Sequence, residues 1–135
     1  MPKSPTQRAL EIARGHGYQA AVTEHWNPHA RIRQDLFGFC DVLAIAPGET
    51  LAIQATSAGN VSSRVQKLLE EEGVALRVWD CLRAGWRIEV WGLRAKADRF
   101  GSTLKARSLY LNPLDHEEVL VAECSLAIEG RCEPI

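Results

Sequence analysis

Apolar and polar positions divide the chain into short elements. Residues 6–14 place Ala9, Leu10 and Ala13 on one helical face, Thr6 is the expected N-cap, and Gly15 and Gly17 close the helix. Residues 18–26 alternate weakly through Tyr18, Ala20 and Val22, which predicts a strand. Asn27-Pro28-His29 follows as a loop, because Pro28 biases Asn27 away from helix. Residues 39–46 form an almost continuous apolar run, Pro47-Gly48-Glu49-Thr50 punctuates it, and residues 51–56 form a second run. Two such runs across a Pro-Gly turn predict a β-hairpin with at least one strand buried on both faces. A helix opens near Asn60, with Asn60, Ser62 or Ser63 as cap. Its stripe is Val61, Val65, Leu68 and Leu69, and it ends at Gly73. Residues 74–79 alternate as Val74, Leu76 and Val78, which predicts a strand returning parallel to the hairpin by a right-handed crossover. Residues 80–84 read as a helical turn. Residues 86–91 alternate again through Trp86, Ile88 and Val90. Further on, residues 105–111 fit a strand, residues 117–127 fit a strand or a helix, and the last few residues are expected to fray.

Elements of both kinds in this order predict an α/β fold. At 135 residues the chain suits one domain. The expected division is a core over residues 1–104 and an acidic extension over residues 105–135 packed on or beside it. No run of about 18 apolar residues occurs and the N-terminus lacks a signal-peptide pattern, so the expectation is a cytoplasmic protein without a membrane partner.

The net charge of −1 argues against binding nucleic acid by bulk charge, but the charges are unevenly spread. Arg83, Arg87, Arg94, Lys96, Arg99, Lys105 and Arg107 outnumber Glu89 and Asp98 in one stretch. Asp115, Glu117, Glu118, Glu123, Glu129 and Glu133 then face a single Arg131. This pattern fits either a phosphate-facing surface followed by an acidic tail or two solvated faces of a neutral protein. Cys40, Cys81, Cys124 and Cys132 form no CxxC pair and match no zinc framework, so reduced thiols are expected, the first two buried.

Asp41 carries the sharpest chemical signal. A carboxylate between Cys40 and Val42 in an apolar run must be paired, ligated or at a strand edge. Gln54, between Ile53 and Ala55, poses the same question more mildly, since a neutral amide is cheaper to bury. Surface charge is the ordinary reading of Glu11, Glu24, Arg64 and Lys67, and packing that of Trp26, Trp79, Trp86 and Trp91, which stacking on bases would displace. His25 and His29 stand four apart, but Pro28 between them argues against a helical ligand pair.

The stretch Arg33-Gln34-Asp35-Leu36-Phe37-Gly38-Phe39-Cys40-Asp41-Val42-Leu43-Ala44, then Ala52-Ile53-Gln54-Ala55-Thr56-Ser57 and Ala84-Gly85-Trp86-Arg87-Ile88-Glu89-Val90-Trp91-Gly92, resembles the PD-(D/E)xK nucleases. Within them it is most similar to the small Holliday-junction-resolvase-like and phage nuclease proteins. The resemblance covers roughly residues 5–100. It implies a restriction-endonuclease-like αβββαβ core with a mixed central sheet flanked by helices. It also implies Mg²⁺ or Mn²⁺ as cofactor, DNA including branched forms as partner, and a homodimer. In that family a strand-borne Asp pairs with an acid on the next strand, and a Lys follows two residues later.

Asp41 stands at the first acid, Gln54 at the second and Thr56 at the Lys. Gln ligates through its carbonyl oxygen without charge, and Thr carries no cation. The resemblance therefore makes Asp41, Gln54, Glu11 and Glu24 the expected metal ligands, and Asp41, Gln54, Thr56 and Lys67 the catalytic set. Lys67 replaces the missing lysine from the following helix. Arg31, Arg33, Arg64 and Lys67 are the expected phosphate contacts. Asp35 is a further candidate ligand, with setting the turn as its competing role.

The expected function is metal-dependent hydrolysis of DNA phosphodiester bonds, as an endonuclease or junction resolvase. The alternative is a catalytically inactive module of the same fold that binds DNA or protein. A third reading makes the acidic C-terminal segment a regulator of the basic surface, or a DNA mimic.

Overall fold

The computed structural model describes residues 3–128. Cys132, the acids Glu129 and Glu133, and the expected fraying at the C-terminus lie outside the described residues.

Helix α1 (Pro5–Gly15) is capped by Ser4 rather than Thr6. The Ser4 hydroxyl accepts from the Gln7 N–H at 3.1 Å, and Pro5 occupies the first turn, where its missing N–H costs nothing. The chain then forms β1 (Gln19–Val22), a small hairpin of β2 (His25–Asn27) and β3 (Ile32–Gln34), and the larger hairpin of β4 (Val42–Ala46) and β5 (Glu49–Ser57). The segment expected to be one strand from Tyr18 to Trp26 is thus two. It breaks where Thr23 donates its N–H to the Asp41 carbonyl at 2.8 Å and its hydroxyl to the Cys40 carbonyl at 2.8 Å. The large hairpin forms as the Pro-Gly punctuation predicts, with Ala46 opposite Glu49.

After β5, a 3-10 turn leads into α2 (Val61–Glu70), and α3 (Val74–Arg83) follows directly. The strand expected over residues 74–79 is therefore a helix. Val74, Val78, Cys81 and Leu82 are buried at the spacing of one helical face, while Leu76, which the alternating reading places inside, is 60% exposed. Ala75, Leu76 and Arg77 are good helix formers, and burial on one helical face outweighs a short alternation. The parallel return falls instead to β6 (Arg87–Leu93), paired with β5 from Leu51 opposite Arg87 to Ser57 opposite Leu93. β7 (Leu104–Asn112) and β8 (Asp115–Ala122) continue the same sheet antiparallel.

The result is an α/β protein with a mixed six-stranded sheet in the order β1-β4-β5-β6-β7-β8. One face packs on α1 through Val42, Ala44, Leu51, Ile53 and Trp91. The other packs on α2 and α3 through Ala52, Ile88, Val90 and Leu109. Gly92 is required where β6 passes the start of α2, because a Cβ there would collide with Val61 and Ala58.

Cys40 and Cys81 are buried free thiols, and burial pushes the Cys40 thiol up to about 11. Cys124 is disulfide-bonded, which corrects the expectation of a thiol there. Among the described residues no helix is long and apolar enough to cross a membrane.

Four cations of the basic stretch find partners on folding. Arg87 pairs with Glu49 at 3.0 Å, Arg94 with Asp98 at 3.6 Å and Arg107 with Glu123 at 3.8 Å, while Arg83 stacks over Trp79 at 4.4 Å.

Candidate metal centre

The site lies where the two hairpins meet. Leu36 pairs with Cys40 across the tight Asp35-Leu36-Phe37-Gly38 loop, in which Gly38 donates its N–H to the Asp35 carbonyl at 3.0 Å. Phe37 and Gly38 both take left-handed conformations, at φ 57° and 82°. For Phe that conformation is uncommon, and its ring lies 5.9 Å from that of Trp86. Lys67 of α2 donates to the Gly38 carbonyl at 3.2 Å and so fixes the loop to the helix layer. This reversal carries Asp35 back beside Asp41.

Asp41 enters the sheet irregularly. Its N–H donates to the Ile53 carbonyl at 2.9 Å although Val42 is already opposite Ile53. Two residues facing one is a bulge, which re-aims the side chain. The Asp41 Oδ2 thereby accepts the Ala55 N–H at 2.8 Å, so Asp41 holds β5 on both sides of Gln54. Asp41 is only 4% exposed.

Carboxylate oxygens of Glu24, Asp35 and Asp41 all lie within 4.8 Å of one another. Burial, then the adjacent Asp35 carboxyl, pushes Asp41 up to about 8, and the Ala55 N–H opposes that rise. Three acids this close, one nearly buried, hold either a proton or a cation between them. Gln54 is equally buried, and its Oε1 has no hydrogen-bond partner among the described residues. An orphaned carbonyl oxygen is costly to bury and is a competent ligand for a hard cation.

A hollow of about 390 Å³ adjoins the acids, lined by His25, Arg33, Gln34, Asp35, Gly38, Lys67 and Arg77. Its cations come from three separate elements, β3, α2 and α3. Arg33 also pairs with Glu24 at 3.1 Å.

The structure thus brings Asp41 and Glu24 together with Asp35, places Arg33 and Lys67 on the adjoining hollow, and sets Gln54 between the two β5 residues that Asp41 bonds. Thr56 is buried two residues beyond Gln54 on the same strand. Glu11 is not brought there. It sits exposed on α1, where Lys3 pairs with it at 2.9 Å and holds its carboxyl below the usual range. Asp35 stands in the cluster instead and also sets the turn through its carbonyl. Arg64 lies half-buried on α2 without lining the hollow, and Arg31 sits exposed at the tip of the small hairpin. Arg77 was not legible as a site residue, because its segment reads as a strand; the helical spacing of Val74, Val78 and Cys81 was the available signal.

Comparison with family models, with curated proteins and with solved structures finds no match for this chain.

Proposed function

We propose that the protein is a metal-dependent phosphodiester hydrolase acting on DNA, with a restriction-endonuclease-like core. The carrying observation is the Glu24–Asp35–Asp41 cluster beside a hollow lined by Arg33, Lys67 and Arg77. Anionic ligands for a cation next to cationic groups for an anion is the arrangement that holding a phosphodiester and hydrolysing it demands. The fold reading is supported by α1, the β4–β5 hairpin and the parallel β5-to-β6 crossover, although two helices occupy a crossover where one was expected.

Glu24, Asp35 and Asp41, with the Gln54 carbonyl oxygen, would hold the ion, and Mg²⁺ or Mn²⁺ suits an all-oxygen donor set. Such an ion supplies a more acidic bound water and neutralises charge on phosphorus. The chain's own residues do the rest. Arg33, Lys67 and Arg77 place the phosphate against the acids. Lys67, fixed by the Gly38 carbonyl, brings the positive charge that Thr56 cannot. The Ala55 N–H keeps Asp41 oriented.

The test is cleavage of labelled four-way-junction, flap, duplex and single-stranded DNA with Mg²⁺ or Mn²⁺ against EDTA, beside Asp41→Ala and Lys67→Met. Metal-dependent cutting lost in both variants is expected. Binding without cutting in either metal would favour the inactive module, for which Gln54 and Thr56 at the acid and lysine positions already speak.

A further inference from the structure

The small β2–β3 hairpin presents, in Trp26, a side chain the proposed hydrolysis does not use. Asn27 stiffens its tip: the Oδ1 accepts the N–H groups of His29 at 2.9 Å and Ala30 at 3.1 Å. Arg31 completes the turn in a left-handed conformation, at φ 55°. Trp26 is 54% exposed on this arm. A tryptophan left so open on a braced hairpin is a ready contact surface.

Strand register says what that surface adjoins. Trp26 is directly opposite Arg33, so the two side chains share a face. Just beyond the paired residues come Glu24 and Asp35, two of the three clustered acids, and Arg33 forms an ion pair with Glu24 at 3.1 Å. Trp26 is therefore two residues along the chain from Glu24, and the Arg33 opposite it is two residues from Asp35. Arg33 links it to the cationic hollow.

We propose that this arm receives an unpaired nucleotide beside the reacting phosphate, the base stacking on Trp26 and its phosphate pairing with Arg33. The proposal rests on the reading of the site as a DNA phosphodiester site. Charge complementarity argues for this occupant. A flat aromatic opposite a guanidinium that lines the same hollow as Lys67 and Arg77 suits a base joined to phosphate, and a purely apolar partner would leave those cations unanswered. A base inside an intact duplex offers no free face, so the arm favours single-stranded, flap or branched DNA over blunt duplex.

The test is binding in EDTA, without cleavage, of fluorescent single-stranded, flap and blunt duplex DNA by the full chain and its Trp26→Ala, Trp26→Phe and Arg33→Ala variants. Trp26→Ala should weaken single-stranded and flap binding by roughly tenfold or more and leave duplex binding within about threefold. Trp26→Phe should retain most of the affinity, and Arg33→Ala should reduce the salt dependence by about one ion. Thermal melts check folding, which substitution of an exposed residue should leave intact. DNA binding by the parent chain with equal affinity in Trp26→Ala would overturn the arm's role and leave the hydrolase reading standing. No binding of any DNA form would overturn both. A dimer that dissociates on Trp26→Ala while DNA affinity holds would assign the arm to an interface between two copies, against the proposal.

Discussion

Asp41→Asn separates the electrostatics of the cluster from its packing. Asn keeps an oxygen for the Ala55 N–H and offers Asp35 a donor where a protonated Asp41 would. In the metal-free protein, burial and Asp35 raise Asp41 from 3.8 to about 8. The folded state therefore binds a proton that the unfolded chain has released over most of that window. The stability gained is fully present below about pH 4 and is lost as the pH rises to about 8. The slope is up to about 1.4 kcal/mol per pH unit, or close to 3 kcal/mol between about pH 5 and pH 7. For a chain of this size that is a fall of roughly 10 °C in Tm. Urea denaturation in EDTA across that range should show the parent losing stability relative to Asp41→Asn, with the variant the more stable at about pH 8. Saturating Mn²⁺ should flatten the parent's profile, because a cation replaces the proton. Parallel profiles in EDTA would refute the claim that Asp41 is a strained buried carboxyl in the absence of metal.

Gln54→Glu adds a charge between the two β5 residues that Asp41 bonds. It should tighten Mn²⁺ binding by about tenfold in a calorimetric titration and lower metal-free stability at about pH 8, since a fourth acid then needs neutralising. Unchanged affinity would place Gln54 outside the ligand set. Away from the site, the Glu89 carboxyl is 1% exposed and accepts from Trp91 Nε1 at 2.8 Å, Ser108 Oγ at 2.8 Å, Ser125 Oγ at 2.5 Å and the Ala127 N–H at 2.9 Å. Glu89→Ala orphans those donors, so a loss of about 3 kcal/mol in urea denaturation is expected, with faster proteolysis near Ser125. A loss under about 1 kcal/mol would show that water replaces the carboxyl.

The β4–β5 hairpin and Asp41 were legible in the sequence because both rest on local signals, a Pro-Gly turn between apolar runs and one charge where charge is costly. Residues 74–83 were not, because Val74, Leu76 and Val78 satisfy a two-residue period and Val74, Val78, Cys81 and Leu82 a helical one. Only the tertiary layer against β6 decides between them. The bulge at Asp41 and the reversal at Phe37 escape any periodic reading, yet they aim Asp41 and Asp35 at each other. Glu89 reads as one acid in a basic run, and its burial depends on Ser125 and Ala127, 36 and 38 residues away. The basic run from Arg83 to Arg107 left a phosphate surface and solvated faces both open; its Arg87, Arg94 and Arg107 find acids, while Arg33, paired with Glu24, meets Lys67 and Arg77 from separate elements.

The most direct test of the metal centre is a calorimetric titration of Mn²⁺ into the metal-free protein near neutral pH, beside Asp35→Asn and Asp41→Asn. A single site, with proton release on binding and affinity reduced at least tenfold in each variant, is the predicted result. Absence of binding by the parent chain, or binding that survives both substitutions, would contradict the account.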